Sequence, residues 1–351
     1  MQTLIQDVRF AMRMFRRRPA FMLSILTVLG FGIGSSTTIF SVVDGVLLKP
    51  LPYRDPENLV RIFGVWHHGS SEGISAPHFR ESRSAGGVFE SIAAAASTTP
   101  LVSLTAAGDP EQIVTRSISA GFFSTLGVQP LLGREFRPEE EVFKGPRAVL
   151  LSFDLWQRQY AGETKIVGRA LKVNNYPYTI VGVMPPVFNF LGAADLFTPL
   201  QQNPYQDSRS ARTLVMIGRL KAGATLQQAQ QQLDSFVLNQ QAGYPGEEAG
   251  WSAAAMPLTD EVVRDVKPAL TMLVGAVALV LLVASSNVAG MMLSQTTRRT
   301  AEISLRHSLG ASKTRVLRQL LTESLPLALA GGALGCLLAI GGVEVIKRFG
   351  L

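Results

Sequence analysis

PALTMLVGAVALVLLVASSNVAGMMLSQTT, residues 268–297, runs for 30 residues without a charge and ends against Arg298 and Arg299. A helix rises 1.5 Å per residue, so about 20 apolar residues cross a ~30 Å hydrocarbon layer. Within the run, Leu270–Val283 is almost continuously Leu, Val, Met and Ala. A buried helix of a soluble protein is the alternative, and the rest of the chain argues against it. Pro19–Val43 is a second uncharged stretch of 25 residues and Ser324–Val343 a third of 20. Each of the three has arginines on one flank, the pattern of membrane spans held by basic loops.

The first run also has to be weighed as a leader. Arg13-Met14-Phe15-Arg16-Arg17-Arg18 gives it a basic front. Its apolar part exceeds the usual 7–15 residues of a signal peptide, and no A-x-A cleavage pattern follows at Ser41–Gly45. Arg17-Arg18-Pro19-Ala20-Phe21 is a poor match to a twin-arginine signal. A retained anchor is expected.

Over the 351 residues, 47% are hydrophobic and 17% charged, against about 25% charged in an ordinary soluble domain. The net charge of +7 is unevenly spread. Residues 1–18 hold five arginines against Asp7, and residues 298–323 hold six basic residues against Glu302 and Glu323. Residues 44–267 hold 20 basic and 22 acidic residues. The basic excess therefore sits beside apolar runs and not on the large domain, which excludes nucleic acid as a partner. Short Lys/Arg-rich segments stay in the cytoplasm. The N-terminus and 298–323 are then expected inside and 44–267 outside, with Lys347 and Arg348 on the outer side as a small violation. The single cysteine, Cys336, lies in the third run and allows neither an internal disulfide nor a cysteine zinc site.

Residues 44–267 read as a mixed α/β domain. Leu59–Phe63 alternates like a half-buried strand. Ala148–Ser152, Tyr178–Val183 and Thr213–Leu220 are further strands, rich in β-branched or apolar residues. Thr225–Asn239 reads as a helix capped by Thr225, and Asp154–Tyr160 as a short helix carrying Trp156. No catalytic constellation emerges. His67, His68 and His78 could suggest a metal, but His67 and His68 are adjacent and diverge in helix and strand alike, and a surface loop between Val65 and Ser75 accounts for them. Glu139-Glu140-Glu141 follows Pro138 at a helix start and reads as a solvated face, not a cation site. Ser152 lacks the elbow glycines of a hydrolase nucleophile, and no GxxxxGK[ST] phosphate loop occurs in the sequence.

Gly30-Phe31-Gly32-Ile33-Gly34 superficially looks like a dinucleotide loop, but it lies inside a span. Gly30 and Gly34 form a small-xxx-small pair that lets helices approach. Gly331 with Gly335, and Ser286 with Gly290, repeat the spacing, and Asn287 offers an interhelical hydrogen bond. These residues point to helix packing and a dimer.

The segment between the second and third spans is the most specific. Glu302 and Arg306 stand at favourable i,i+4 spacing, Gly310 ends one helix and Ser312 caps the next. Such a basic amphipathic element suits an anionic lipid surface, while its Gly310-Ala311-Ser312 break suits docking on a partner. Arg299-Thr300-Ala301-Glu302-Ile303-Ser304-Leu305-Arg306, then Leu309-Gly310-Ala311-Ser312-Lys313 and Leu320-Leu321-Thr322-Glu323-Ser324-Leu325, resembles the R-x-x-E-I-x-x-R…L-G-A-S…L-L-x-E-S-L signature of MacB/FtsX-type ABC transporter permeases. Asp7–Arg13, Leu47–Tyr53, Phe122–Val128, Gly133-Arg134 and Ile217–Leu220 are similar to the same family. It departs at His307-Ser308, where a small pair is usual, and at Ser285-Ser286, where a cysteine is common. The phrases resemble a subgroup with duplicated permease halves and no fused ATPase, and the chain looks like one half lacking its fourth span.

The resemblance implies an α-helical membrane protein with a mixed α/β extracytoplasmic domain of the MacB periplasmic core type. The expected division is an amphipathic lead-in helix at 1–18, spans at 19–43, 268–297 and 323–345, an outer domain at 44–267, a cytoplasmic coupling loop at 298–322 and a tail at 346–351. Glu302, Ile303, Arg306, Gly310, Ala311, Ser312 and Arg315 become the ATPase-coupling residues. The implied protein is a non-catalytic permease of the bacterial inner membrane, without cofactor of its own, since ATP is bound by the partner. Those partners are a cytoplasmic ABC ATPase dimer and a second permease unit, with a periplasmic adaptor or outer-membrane channel as a further one. The implied mechanism is mechanotransmission. The alternative is an FtsX-like regulator whose outer domain activates a cell-wall hydrolase.

Overall fold

The computed structural model describes residues 19–43, 51–66, 71–105, 110–186, 192, 194–203, 207–264, 266–298 and 313–348. The chain divides into two compact units, Met1–Lys49 with Val263–Leu351, and Pro50–Val262.

The first unit consists of three helices, Pro19–Val43, Lys267–Arg298 and Lys313–Arg348. Each holds a stretch long and apolar enough to cross a membrane: Leu23–Ser41, Lys267–Met291 and Leu325–Val345. Their large side chains point outward, as Met272 at 77% and Leu282 at 65% exposure illustrate. Ile25 and Leu327 form a small core, with Leu29, Val288 and Met291 against it, so all three helices meet there. Pro326 sits inside the third helix, a residue that membrane helices tolerate better than soluble ones.

The second unit is built on one sheet of two unlike halves. Strands β1 (Leu59–Trp66), β2 (Ser71–Glu72) and β3 (Phe89–Ala96) begin it. β4 (Leu101–Thr105), β5 (Glu111–Ile118), β6 (Leu132–Gly133) and β7 (Ala148–Leu151) follow. β8 (Ala170–Val173), β9 (Tyr176–Val183), β10 (Leu196–Pro199), β11 (Leu214–Leu220) and β12 (Trp251–Pro257) complete it. The order is β10-β7-β9-β8-β4-β5-β3-β11-β1-β12, and an extra pairing of β10 with β5 turns the first six into a closed ring. Only β7–β9 and β10–β5 run parallel among the named pairings. The ring encloses Val102, Leu104, Val149, Leu151, Trp156 and Ile180.

The other half, β3-β11-β1-β12, is covered on both faces. Alternate residues of a strand point to opposite sides, so Ala93 and Ala95 enter one cluster with Leu59 and Ile217. Ala94 and Ile92 enter another with Val60, Ile62 and Met216. β1 is therefore not half-buried as its alternation suggests. Arg61, the residue read as its polar face, is only 8% exposed and donates to the carbonyls of Ile62 and Met216. The helix Leu226–Gly243 lays Ala229, Leu233 and Val237 on this half. Thr225 caps it, its hydroxyl accepting from the Gln228 amide while the Gln228 side chain accepts from the Thr225 amide. The two halves of the sheet join at a single backbone pair, Ala95 with Ile118.

Two glycines fix turns here. Gly127 ends the helix Phe122–Leu126 at φ 74°, and Gly133 turns at φ 77°. A Cβ would collide with Arg54 at the first and with the Val181 carbonyl at the second.

Candidate functional site

Glycines of the first and third spans face each other's side chains. A Cβ on Gly30 would come within 2.7 Å of Leu334, and one on Gly34 within 2.9 Å of Leu338 and 3.1 Å of the Gly335 carbonyl. In return, Gly331 lies under Leu29 and Gly335 under Ile33, at 2.8 and 2.7 Å for the same notional Cβ. The packing thus falls within one chain, whereas the spacing in sequence points as readily to a dimer. Gly32 meets Ala284 of the second span at 3.2 Å on the same measure.

Hydroxyl groups of the first span are turned inward on their own helix. Ser35 donates to Phe31 O at 2.6 Å, Ser36 to Gly32 O at 2.6 Å and Ser41 to Thr37 O at 2.8 Å. Thr38 bonds to Gly34 O at 2.9 Å and reaches Ala339 O of the third span at 3.5 Å. These four hydroxyls are bonded to backbone carbonyls, and Ser41 with Thr37 also borders a cavity of about 470 Å³ shared with Cys336 and Glu344 of the third span. The second span differs. Ser286, Asn287 and Gly290 are exposed, and nothing lies within 4 Å of a Cβ placed on Gly290.

Glu302, Ile303, Arg306, Gly310, Ala311 and Ser312 lie outside the described residues, as does the lead-in segment 1–18. Arg315 belongs to the helix Lys313–Arg348. His67 and His68 also lie outside the described residues.

His78, outside the loop expected at Val65–Ser75, is an interior residue of the helix Ala76–Ser84. Ser75 caps the helix Ala76–Ser84 by accepting from the His78 amide at 3.4 Å, and this places the imidazole in the interior. The ring is fully buried and stacks on Trp251, with centroids 4.1 Å apart and planes within 8°. Its Nε2 lies 2.9 Å from Oε1 of Glu248, itself fully buried, but off the hydrogen-bonding direction. Arg212 stands 3.9 Å from the other carboxylate oxygen. Arg209 donates to Gln240 at 2.6 Å, pairs with Glu81 and stacks 3.6 Å over the Tyr244 ring. Burial, reinforced by Arg209 and Arg212, pushes the His78 pKa down to about 3, so the ring is neutral at ordinary pH. Burial raises that of Glu248, against the pull of the same arginines. The pair is sealed from solvent and offers no third metal ligand, and no His/Cys/Asp/Glu metal cluster occurs among the described residues. Its chemistry is structural: it ties the helix carrying His78 to the strand carrying Trp251. In sequence, the signal was Ser75-x-x-His78 ahead of the apolar Phe79, a cap motif that lacks the usual Glu or Gln.

The other candidates also resolve into packing. Glu139–Glu141 does begin a helix, Pro138–Glu141. It is not a solvated face, because Glu140 is 5% exposed and receives two bonds from Arg134, at 2.7 and 3.0 Å, and one from the Arg137 amide. Glu141 accepts from Arg83 and the Ala120 amide. Ser152 caps the helix Phe153–Tyr160, its hydroxyl accepting from the Leu155 amide at 3.1 Å.

Comparison with known proteins places this architecture. Residues 22–236 match the family model of the MacB-like periplasmic core domain, and residues 274–350 match that of the FtsX-like permease C-terminal region. The chain is 24% identical over 360 residues to YknZ of Bacillus subtilis, an uncharacterized ABC transporter permease, covering 98% of this chain and 88% of YknZ. It is 25% identical over 336 residues to the macrolide export ATP-binding/permease protein MacB of Salmonella paratyphi A, of which it spans half the length. The crystal structure of the periplasmic region of MacB from Actinobacillus actinomycetemcomitans superposes with a TM-score of 0.45 at 14% identity, over 65% of this chain and 97% of that one.

Proposed function

The chain belongs to the ABC transporter permeases that join a MacB-like periplasmic core domain to an FtsX-like permease region, and from that premise we propose that it transmits motion from a separate cytoplasmic ATPase to its outer domain. The observation that carries this reading is the first span. Ser35, Ser36, Thr38 and Ser41 donate to carbonyls of their own helix, and Gly30 and Gly34 are packed under Leu334 and Leu338 of the third. Helices packed in this way move as a body more readily than they conduct a polar solute. The chain itself does no chemistry on nucleotide; ATP is held by the partner.

In this account the basic segment 298–322 lies in the cytoplasm and rests on the ATPase through Glu302, Ile303, Arg306, Gly310, Ala311, Ser312 and Arg315. Two permease units pair over an ATPase dimer. Closure of that dimer on ATP displaces the coupling segment, and the second span carries the displacement outward. Movement of the outer domain then expels or releases a substrate already outside the cytoplasm, in keeping with the export for which the MacB relatives are named. A periplasmic adaptor or outer-membrane channel completes the route.

The test is a complex of permease and ATPase reconstituted in liposomes. Glu302→Arg and Gly310→Leu are expected to abolish permease-stimulated ATP hydrolysis while the permease still inserts and folds. Full stimulation with both changes present removes the coupling assignment.

A further inference from the structure

We propose that the outer domain carries a binding site for an uncharged sugar, in the cleft where the two halves of its sheet part. The strands β3 and β5 share the single register pair Ala95 and Ile118, and beyond it the connection passes to Arg116, which donates to the Ala96 carbonyl at 2.9 Å. The opening is a cavity of about 490 Å³, with Ala96 and Thr98 on one side, Ser117 and Thr198 on the other, and Tyr178, Gln201 and Gln202 completing the wall. Its size falls within the range of small-molecule sites, roughly 300–1,000 Å³.

The lining selects the chemistry. Thr198 stands opposite Ser117 in the parallel register of β10 and β5, and their hydroxyls are 2.9 Å apart. One of the two donates in that bond, so the other keeps its proton for a ligand, and both keep acceptor capacity. The Gln201 amide nitrogen is anchored on the carbonyls of Glu140 at 2.8 Å and Gly145 at 3.2 Å, which holds that side chain in one orientation. Tyr178 adds an aromatic ring to the wall, with the Arg147 guanidinium 5.9 Å from its centroid.

Two other ligand classes fit less well. A charged one finds no Asp, Glu, Lys or Arg in the lining, and desolvating a charge without a partner is costly. An extended peptide adding a strand needs free main-chain groups. Here the amides of Ser97, Leu200, Gln201 and Thr213 are spent on Thr213, Ile118, Pro199 and Ala211 carbonyls, at 2.8, 2.8, 2.9 and 3.1 Å. Recognition is left to side-chain hydroxyls and amides, which match the hydroxyls of a neutral sugar.

The experiment is saturation-transfer NMR on the full chain in nanodiscs, without ATPase or nucleotide, so that failure leaves the transporter reading standing. The probes are N,N′-diacetylchitobiose, maltose and trialanine. Transfer to at least one disaccharide and none to trialanine is expected, and the stronger of the two sugars separates an N-acetylated cell-wall type of glycan from a plain glucan. Thr198→Val is expected to weaken binding about tenfold, the loss of one to two hydrogen bonds. Thr98→Trp, at an exposed loop position that leaves the core alone, is expected to abolish it by plugging the cleft, and it decides the matter if the first variant folds poorly. No transfer to either sugar, equal transfer to trialanine, or undiminished binding in the folded variants would each overturn the proposal.

Discussion

Gly335 of the third span and Trp251 of the outer domain close gaps in opposite ways. Gly335 holds two helices together by having no side chain, which lets Ile33 of the first span sit against its backbone. Trp251 holds its region together by bulk: fully buried, it stacks on His78 and packs against Gly64. In lipid there is no hydrophobic drive between helices, so close approach and dispersion do the work. In water, burial of large apolar surface does it, and the polar groups carried along must be neutralised or paired. The neutral His78, the buried Glu248 and the arginines beside them are the consequence in the outer domain. The spans show no counterpart among the described residues of their interiors.

The comparison predicts a graded series. Trp251→Ala is expected to cost about 3–5 kcal/mol, read as a shift in the chemical unfolding of the outer domain by near-UV circular dichroism. A shift under about 1 kcal/mol means that the stack is not what fixes that region. Gly335→Leu is expected to cost about 1–3 kcal/mol through overpacking against Ile33, read by unfolding in mixed micelles with the outer-domain signal unmoved. Loss of both signals together would show that the two regions do not fold by separate rules.

The next effect depends on pH. The His78 pKa is depressed, so its contribution is fully present above about pH 6.5 and is lost as pH falls towards 3. Glu248 is shifted the other way; its contribution is present below the ordinary carboxylate range and lost as pH rises, so it opposes His78 near pH 5. Outer-domain stability should fall between pH 6.5 and 4.5 by no more than about 1.4 kcal/mol per pH unit from this residue. His78→Gln should flatten that slope and Glu248→Gln should steepen it. An unchanged slope in His78→Gln shows that other groups set the acid limb. The smallest effect is expected at Gly290→Leu, on the bare second span. Unfolding should move by less than about 0.5 kcal/mol, while self-association in nanodiscs falls if a second permease unit packs there as proposed. A large stability loss with association intact breaks that assignment.

The spans were legible because lipid leaves little choice. An uncharged run such as 268–297 has to become a helix to satisfy its own backbone, and the observed helix Lys267–Arg298 adds one residue at either end. Thr225 and Ser152 were legible as local signals, the first as a cap and the second as lacking a nucleophile's glycines. The ring of six strands was not, because its closure rests on the pairing of Leu196–Pro199 with Thr115–Ile118, some 80 residues apart in sequence. Nor was the burial of Arg61, which depends on Glu261 and the Met216 carbonyl reaching it from distant segments. The burial of His78 was not legible for the same reason, since its partners Glu248 and Trp251 lie about 170 residues away.

All of the functional account depends on the outer domain and the coupling segment lying on opposite sides of the membrane. Single cysteines at Gln227→Cys, an exposed position of the outer domain, and at Lys313→Cys, in a chain whose Cys336 is replaced by serine, measure this directly in intact cells with a membrane-impermeant maleimide. Labelling of position 227 at once, and of position 313 only after the inner membrane is opened, is the predicted result. Equal labelling of both before permeabilisation contradicts the topology and the coupling mechanism with it.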